Sequence, residues 1–141
     1  GQILMKKLNS FFTSSIAITL LSLTSTAYAE WKELGSNEVM TVYADADTIS
    51  GSGNKVQIMS MLDLKKPGVN PNNKQVVSSI VGLNEYNCPE ISYRPIEFKE
   101  FAGNKGSGNV VSDSKTPDSK FEPVIDGSWT AGVFKVVCKL Q

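Results

Sequence analysis

Residues 55–64, with the sequence KVQIMSMLDL, decide the fold of this chain. One face of the segment carries Val56, Ile58, Leu62 and Leu64, and the other carries Gln57, Met59, Met61 and Asp63. An apolar residue at every second position is typical of a β-strand that buries one face. The preceding tetrapeptide GSGN at 51–54 is typical of a tight turn, because glycine adopts positive φ angles without steric cost.

Further strand-like segments lie on both sides of this one. The pattern predicts strands at 31–34, 39–45, 75–83 (continuing toward Cys88), 92–101 and 110–111. Turn-forming residues separate them at 35–37, 65–68, 70–73 and 103–109. Because these connections are short, we expect neighbouring strands to pair as antiparallel hairpins. The predicted fold is α+β, dominated by an antiparallel β-sheet of about five to six strands.

The C-terminal segment 128–140 fits two structures. A helical stripe of Trp129, Val133, Val137 and Leu140 overlaps a strand alternation of Phe134, Val136, Cys138 and Leu140. Gly127 and Ser128 offer an N-cap for a helix, whereas the valine content favours a strand. The pattern alone leaves both structures open.

The N-terminal part of the chain predicts a secretory signal peptide. Residues 1–4 are interpreted as an upstream extension or a remnant of cloning, and 5–29 as the signal. The signal begins with Met-Lys-Lys, continues through an uncharged stretch and ends in Ala-Tyr-Ala. Cleavage is therefore expected between Ala29 and Glu30, which leaves 30–141 as a single domain.

A membrane anchor is the alternative interpretation of the uncharged stretch. Serine and threonine interrupt this stretch repeatedly, whereas a spanning helix needs about 20 mostly apolar residues. The first residue after the predicted cleavage site is Glu30 and not a cysteine, so no lipoprotein is expected. The sequence thus predicts an exported chain without a stable membrane anchor, periplasmic or at the cell surface.

Composition excludes several classes of function. Without Lys6 and Lys7, 12 of the 14 basic side chains remain against 14 acidic ones, so the net charge of 30–141 is about −2. A nucleic-acid-binding domain usually carries a strongly basic face. The chain therefore does not have the composition of a nucleic-acid binder.

Cys88 and Cys138 are the only cysteines of the chain. Export to an oxidising compartment favours a disulfide between them. A redox or metal-binding pair usually shows a C-x-x-C spacing or nearby histidines, and neither feature is present. We predict a structural disulfide.

The sequence contains no histidine, the commonest general base and metal ligand. Asp45, Asp47 and Asp63 are the remaining candidates for carboxylate catalysis or calcium binding. Asp45 and Asp47 stand where a strand ends, a position at which aspartate commonly accepts hydrogen bonds from nearby backbone amides. We predict that the protein is not an enzyme and holds neither metal nor cofactor.

Four basic residues are candidates for contacting a partner. Lys65 and Lys66 stand beside a Pro-Gly pair in a predicted loop, and with Lys74 and Arg94 they are expected to form a modest basic patch. Such a patch suits an acidic partner. The alternative is that these side chains only solvate a loop.

Several short segments resemble the surface-adhesin protein E family of small exported bacterial proteins. They are VYAD at 42–45 with Thr48 and Ile49, EYNC at 85–88, Tyr93-Arg94, GNVV at 108–111, and Gly127-Ser128 ahead of VVC at 136–138. The resemblance runs through nearly all of 30–141. It implies an antiparallel sheet flanked by a C-terminal helix, in which Cys138 ties the helix to the end of the strand at Cys88.

The resemblance also implies a function. The family's namesake is an exported adhesin that contacts host extracellular-matrix and plasma proteins and has no enzymatic site. We therefore predict a non-enzymatic binding domain for a protein partner, with a periplasmic structural or accessory protein without a host ligand as the alternative. An uncovered sheet edge would also allow a homodimer.

Overall fold

The computed structural model describes residues 29–139, which form one antiparallel sheet with a C-terminal helix. The strands are β1 (Lys32–Ser36), β2 (Met40–Ser52), β3 (Lys55–Val69), β4 (Val76–Asn87), β5 (Ser92–Phe101), β6 (Val110–Lys115) and β7 (Glu122–Pro123). A 3₁₀ turn at Asn104–Gly106 lies between β5 and β6, and helix α1 spans Trp129–Cys138. The predicted α+β fold is confirmed. Residues 1–4 and all of the predicted signal 5–29 except Ala29 lie outside the described residues.

The first six strands follow one another across the sheet in sequence order, each antiparallel to its neighbour. The outer edge of β5 is shared, because β6 pairs with its C-terminal half and β7 pairs with Ser92 and Tyr93 at its start. The predicted hairpins are therefore present. The sequence pattern missed β7, which has two residues and includes a proline.

Strand β3 is longer than predicted. The residues Lys65, Lys66, Pro67 and Gly68 were expected in a loop, and the structure places them in the strand. The register between β3 and β4 shifts between Asp63 and Gly68, so Pro67 lies in a bulge where its missing N–H interrupts no regular ladder. Toward β2, the Lys65 amide donates to the carbonyl oxygen of Val39 at 2.8 Å and continues the pairing.

Helix α1 settles the ambiguous C-terminal pattern in the way the family resemblance implied. Ser128 is the N-cap, and its hydroxyl accepts a hydrogen bond from the Ala131 amide at 3.3 Å. The helix buries Thr130, Val133 and Phe134, which fall on one side of it at helical spacing. Within residues 29–139 no helix is long and apolar enough to cross a membrane.

The core lies between α1 and the side of the sheet that we call the helix face. Its buried side chains are Val42, Ala44, Ile58, Tyr86, Val133 and Phe134. The predicted disulfide joins Cys88, just after β4, to Cys138, the last residue of α1, with the two Cα atoms 5.5 Å apart. The helix is thus fixed to the sheet by packing along its length and by a covalent bond at its end.

The other side of the sheet, which we call the opposite face, is partly covered by the loop between β5 and β6. The Asn104 side chain and the Lys105 amide donate to Asp63 Oδ1 at 2.9 and 2.8 Å. The Gly106 amide donates to the hydroxyl of buried Ser79 at 2.8 Å. These three hydrogen bonds thus hold this loop against the opposite face.

Candidate partner-binding surface

Three of the four predicted basic residues lie at one end of the sheet. Lys65 and Lys66 stand on the last part of β3, and Lys74 belongs to the loop that leads into β4; all three are exposed. Asn70 is buried and holds this loop together. Its backbone N–H donates to the carbonyl oxygen of Gln75, and its backbone carbonyl oxygen accepts from the Lys74 N–H, both at 2.9 Å. The lysines therefore project from an ordered segment.

Exposed valines accompany these lysines. Val39 lies beside Lys65 through the backbone hydrogen bond described above, and Val69 and Val76 are cross-strand partners. Val110 starts β6, and the neighbouring Val111 carbonyl accepts a hydrogen bond from the Asn73 side chain at 2.9 Å. We call this surface the lysine end; it consists of Lys65, Lys66, Lys74, Val39, Val69, Val76 and Val110. This end of the sheet thus carries exposed apolar and exposed cationic side chains together.

Two acidic side chains on the neighbouring strands, Glu100 and Asp63, are engaged in hydrogen bonds. Glu100 Oε1 accepts from the Asn70 side chain and from the Ser112 hydroxyl, both at 2.6 Å. Asp63 accepts from the loop between β5 and β6. These carboxylates hold loops in place, and neither forms an ion pair with a lysine among residues 29–139.

Arg94 lies far from the lysine end. It stands at the start of β5 opposite Glu85, which in turn lies opposite Gln57 on β3. Lys65 follows Gln57 by eight residues on β3, a distance of about 25 Å at the usual rise per residue. The predicted single patch of three lysines and Arg94 is therefore not assembled in this structure.

Arg94 instead fastens the segment between β6 and β7 to the sheet. Its Nε donates to Glu85 Oε1 at 2.9 Å and its Nη1 to the carbonyl oxygen of Pro117 at 2.8 Å. Its guanidinium also lies over the ring of Phe121. Burial opposes the charged form of Glu85, but the hydrogen bonds from Arg94 and Gln57, with the nearby positive charges, outweigh it and lower the pKa of Glu85.

Of the three aspartates considered for catalysis or calcium binding, Asp45 and Asp63 have structural contacts, whereas the Asp47 side chain is exposed. Asp45 is buried, and its Oδ1 accepts a hydrogen bond from the Asp47 amide at 3.0 Å, as expected for an aspartate at a strand irregularity. Asp63 holds the loop between β5 and β6. Among residues 29–139, no three His, Cys, Asp or Glu side chains come together in a group suited to a metal ion.

The sequence did not predict which apolar residues belong to the lysine end. Val76 and Val77 are adjacent in a β-branched run, yet Val77 is buried and Val76 is exposed. The signal that separates them is the position of the strand end: Val76 is the first residue of β4, opposite the last residue of β3. This boundary depends on the bulge in β3, which the alternation does not reveal.

The architecture defines a class of small α+β domains in which a C-terminal helix is disulfide-linked to one face of a meandering antiparallel sheet. The profile of the surface-adhesin protein E family matches residues 31–139, and the chain belongs to this family. Membership in a surface-adhesin family implies an exported or cell-surface protein. No curated protein matches the chain significantly in sequence.

Solved structures with a similar fold include protein E of Haemophilus influenzae. One structure is 15% identical with a TM-score of 0.58 and covers 80% of this chain and 86% of the other. The structure from non-typeable Haemophilus influenzae is also 15% identical, with a TM-score of 0.57 and coverage of 80% and 78%. A second crystal form gives 16% identity and a TM-score of 0.55, covering 70% of this chain and 80% of the other. At this level of identity the likeness shows a shared fold.

Proposed function

We propose that this protein is a non-enzymatic exported binding domain that contacts a host extracellular-matrix or plasma protein through its lysine end. The observation that carries the proposal is the exposure of Val39, Val69 and Val76 beside Lys65 and Lys66 on an ordered part of the sheet. Family membership supports an adhesive role. The contacts of Asp45 and Asp63 support the absence of a catalytic centre.

The chemistry of the lysine end suits a partner surface that is acidic around an apolar centre. Burying the valines against a partner provides the hydrophobic contribution to affinity. The lysines provide complementary charge, which accelerates association and selects the partner. Such binding is expected to weaken as the salt concentration rises, because exposed charges are screened.

Reversing the three charges tests the proposal. We expect the variant Lys65→Glu/Lys66→Glu/Lys74→Glu to bind immobilised matrix and plasma proteins at least about tenfold more weakly, since three attractive contacts become repulsive. Surface plasmon resonance against a panel of these proteins measures the change. The matched control is Lys115→Glu/Lys120→Glu/Lys135→Glu, which makes the same charge change at three exposed lysines elsewhere. Equal losses in both variants would contradict a role for the lysine end.

Localisation distinguishes this function from that of a periplasmic structural or accessory protein. We expect protease treatment of intact native cells to digest the protein. Mass spectrometry of the chain purified from untreated cells should show Glu30 as its first residue. Protection of the protein in the periplasm, together with no binding to the panel, would favour the accessory role.

A further inference from the structure

A pocket of about 210 Å³ opens on the helix face, between the first turn of α1 and the middle of β5. Its walls are apolar and include Leu62, Ile80, Tyr93, Phe98 and Trp129. The Tyr93 and Trp129 rings meet edge to face, with centroids 6.1 Å apart, so this wall is held by packing. The loop that covers Asp63 lies on the opposite face, so it does not reach this pocket. The pocket is also separate from the lysine end.

Two polar side chains form the floor of this pocket in the middle of the sheet. Ser60 on β3 is 3% exposed and Asn84 on β4 is 6% exposed. Asn84 Nδ2 donates to Ser60 Oγ at 3.3 Å. No other side-chain hydrogen bond to either residue is recorded within 29–139, so the Asn84 carbonyl oxygen and the Ser60 hydroxyl proton remain available. Among residues 29–139 the Tyr86 hydroxyl is the only fully buried polar side-chain atom without a partner, so the Asn84 oxygen is accessible from the pocket, where a water or a ligand can complete its hydrogen bonds.

Glycine at position 82 keeps this floor open. Gly82 pairs with Ser60 on one side and Phe98 on the other, and all three residues line the pocket. A Cβ at Gly82 would lie 3.2 Å from the Phe98 Cβ and 3.1 Å from the Glu97 carbonyl oxygen. Any larger residue would therefore crowd β5 and occupy the bottom of the pocket.

We propose that this pocket binds a small, mostly apolar molecule with one ring or a short branched chain and a single hydroxyl group. An engineered cavity of about 150 Å³ accommodates benzene, so about 210 Å³ leaves room for a substituted ring. The aromatic walls contact the apolar body. A ligand hydroxyl both donates to and accepts from the Asn84 and Ser60 groups on the floor.

Two probes that differ only in the hydroxyl test the proposal: p-cresol and toluene. NMR spectra of the full domain should show a saturable shift of the Trp129 indole N–H with p-cresol, with a Kd on the order of 1 mM. We expect toluene to bind about three- to tenfold more weakly, because it lacks the hydrogen-bonding group. In Asn84→Leu the two probes should bind with affinities within about twofold of each other.

Filling variants test the location. Ile80→Phe, or Leu62→Phe if the first variant loses its native spectrum, should abolish the p-cresol shift. Leu83→Phe is the matched control, because Leu83 lines a groove that lacks Ile80 and Leu62, and it should bind p-cresol as the wild type does. The proposal is overturned if no saturable shift occurs, if the filling variants bind normally, or if p-cresol and toluene bind equally to the wild type.

A separate observation concerns the predicted cleavage site. The backbone nitrogen of Glu30 lies 3.2 Å from Oδ2 of Asp45. Asp45 is 4% exposed, and within residues 29–139 no lysine or arginine forms an ion pair with it. A buried carboxylate usually has a cationic partner or a full set of hydrogen bonds.

We infer that cleavage between Ala29 and Glu30 provides this partner. The peptide nitrogen of Glu30 then becomes an α-ammonium group, which carries a positive charge near neutral pH. At the observed distance it forms a charge-assisted hydrogen bond with Asp45, stronger than the neutral amide bond of the uncleaved chain. The inference rests on the proposed cleavage site, but recombinant chains with defined first residues test it independently of export.

Thermal unfolding of chains that start at Glu30 or at Ala29 provides the test. We expect the chain that starts at Glu30 to have a Tm about 4–8 °C higher at pH 6.5, since the added residue removes the charge from the Glu30 nitrogen. In an Asp45→Asn background this difference should vanish. Equal Tm values in the wild-type background, or a difference that persists with Asp45→Asn, would overturn the inference without bearing on the lysine end.

Discussion

Replacing both Cys88 and Cys138 with alanine is expected to lower the free energy of unfolding by about 4 kcal/mol. The disulfide closes a loop with a sequence separation of 50 residues, and removing it restores the freedom of that loop in the unfolded chain. The folded state also loses the covalent anchor of α1, a helix of ten residues. An isolated helix of that length is marginal in water, so α1 depends on docking.

Urea unfolding of the double variant and the wild type, followed by circular dichroism, measures this loss. Reduced wild-type protein serves as the control, because it lacks the bond but keeps both side chains. We expect the reduced wild type and the double variant to unfold at similar urea concentrations. A loss below about 1 kcal/mol would mean that packing alone positions the helix and that the cross-link contributes little.

The alternation of residue types in the sequence predicts two of the strands well. Residues 92–101 are β5 as predicted, and the alternation at 55–64 identifies most of β3. The end of β3 was missed because Pro67 and Gly68 normally terminate a strand. Here a bulge accommodates them, and that bulge is a property of the pairing with β4 and not of the local sequence.

Helix α1 shows a different limit of sequence interpretation. Its residues fit helical and strand periods equally well, so the choice depends on what they pack against. Apolar side chains of β2, β3 and β4 line the helix face of the sheet. A helix packed on that face buries them more completely than a further strand at the edge of the sheet would. The N-cap at Ser128 favoured the helix locally, and the resemblance to the family, which carries this tertiary information, pointed to it as well.

The candidate sites differ in the same way. Lys65, Lys66 and Lys74 are close in sequence to one strand end, so a local pattern identified them. Arg94 was grouped with them by charge alone, and its partner Glu85 could not be recognised before the register of β4 and β5 was known. The pocket above Ser60 and Asn84 combines three strands and α1, and no local pattern predicts it.

Phe134→Ala is expected to destabilise the domain by about 3–5 kcal/mol, comparable to the loss of the disulfide. Phe134 is 3% exposed and packs against the sheet beside Val133. Its ring centroid lies 6.3 Å from that of Tyr86, a fully buried residue of β4. Truncation therefore removes both the transfer free energy of the ring and its aromatic contact, and leaves a cavity where α1 meets the sheet.

Tyr86→Phe is the matched control for this prediction, since it alters the other ring of the pair without creating a cavity. The Tyr86 hydroxyl is buried and has no hydrogen-bond partner among residues 29–139, so its removal should leave stability unchanged or raise it by about 1 kcal/mol. Urea unfolding of both variants, with the disulfide intact, distinguishes the effects. If Phe134→Ala lowers the free energy of unfolding by less than about 1 kcal/mol, α1 contributes little to stability beyond its covalent link. If Tyr86→Phe lowers it more than Phe134→Ala does, the Tyr86 hydroxyl has a partner such as an internal water.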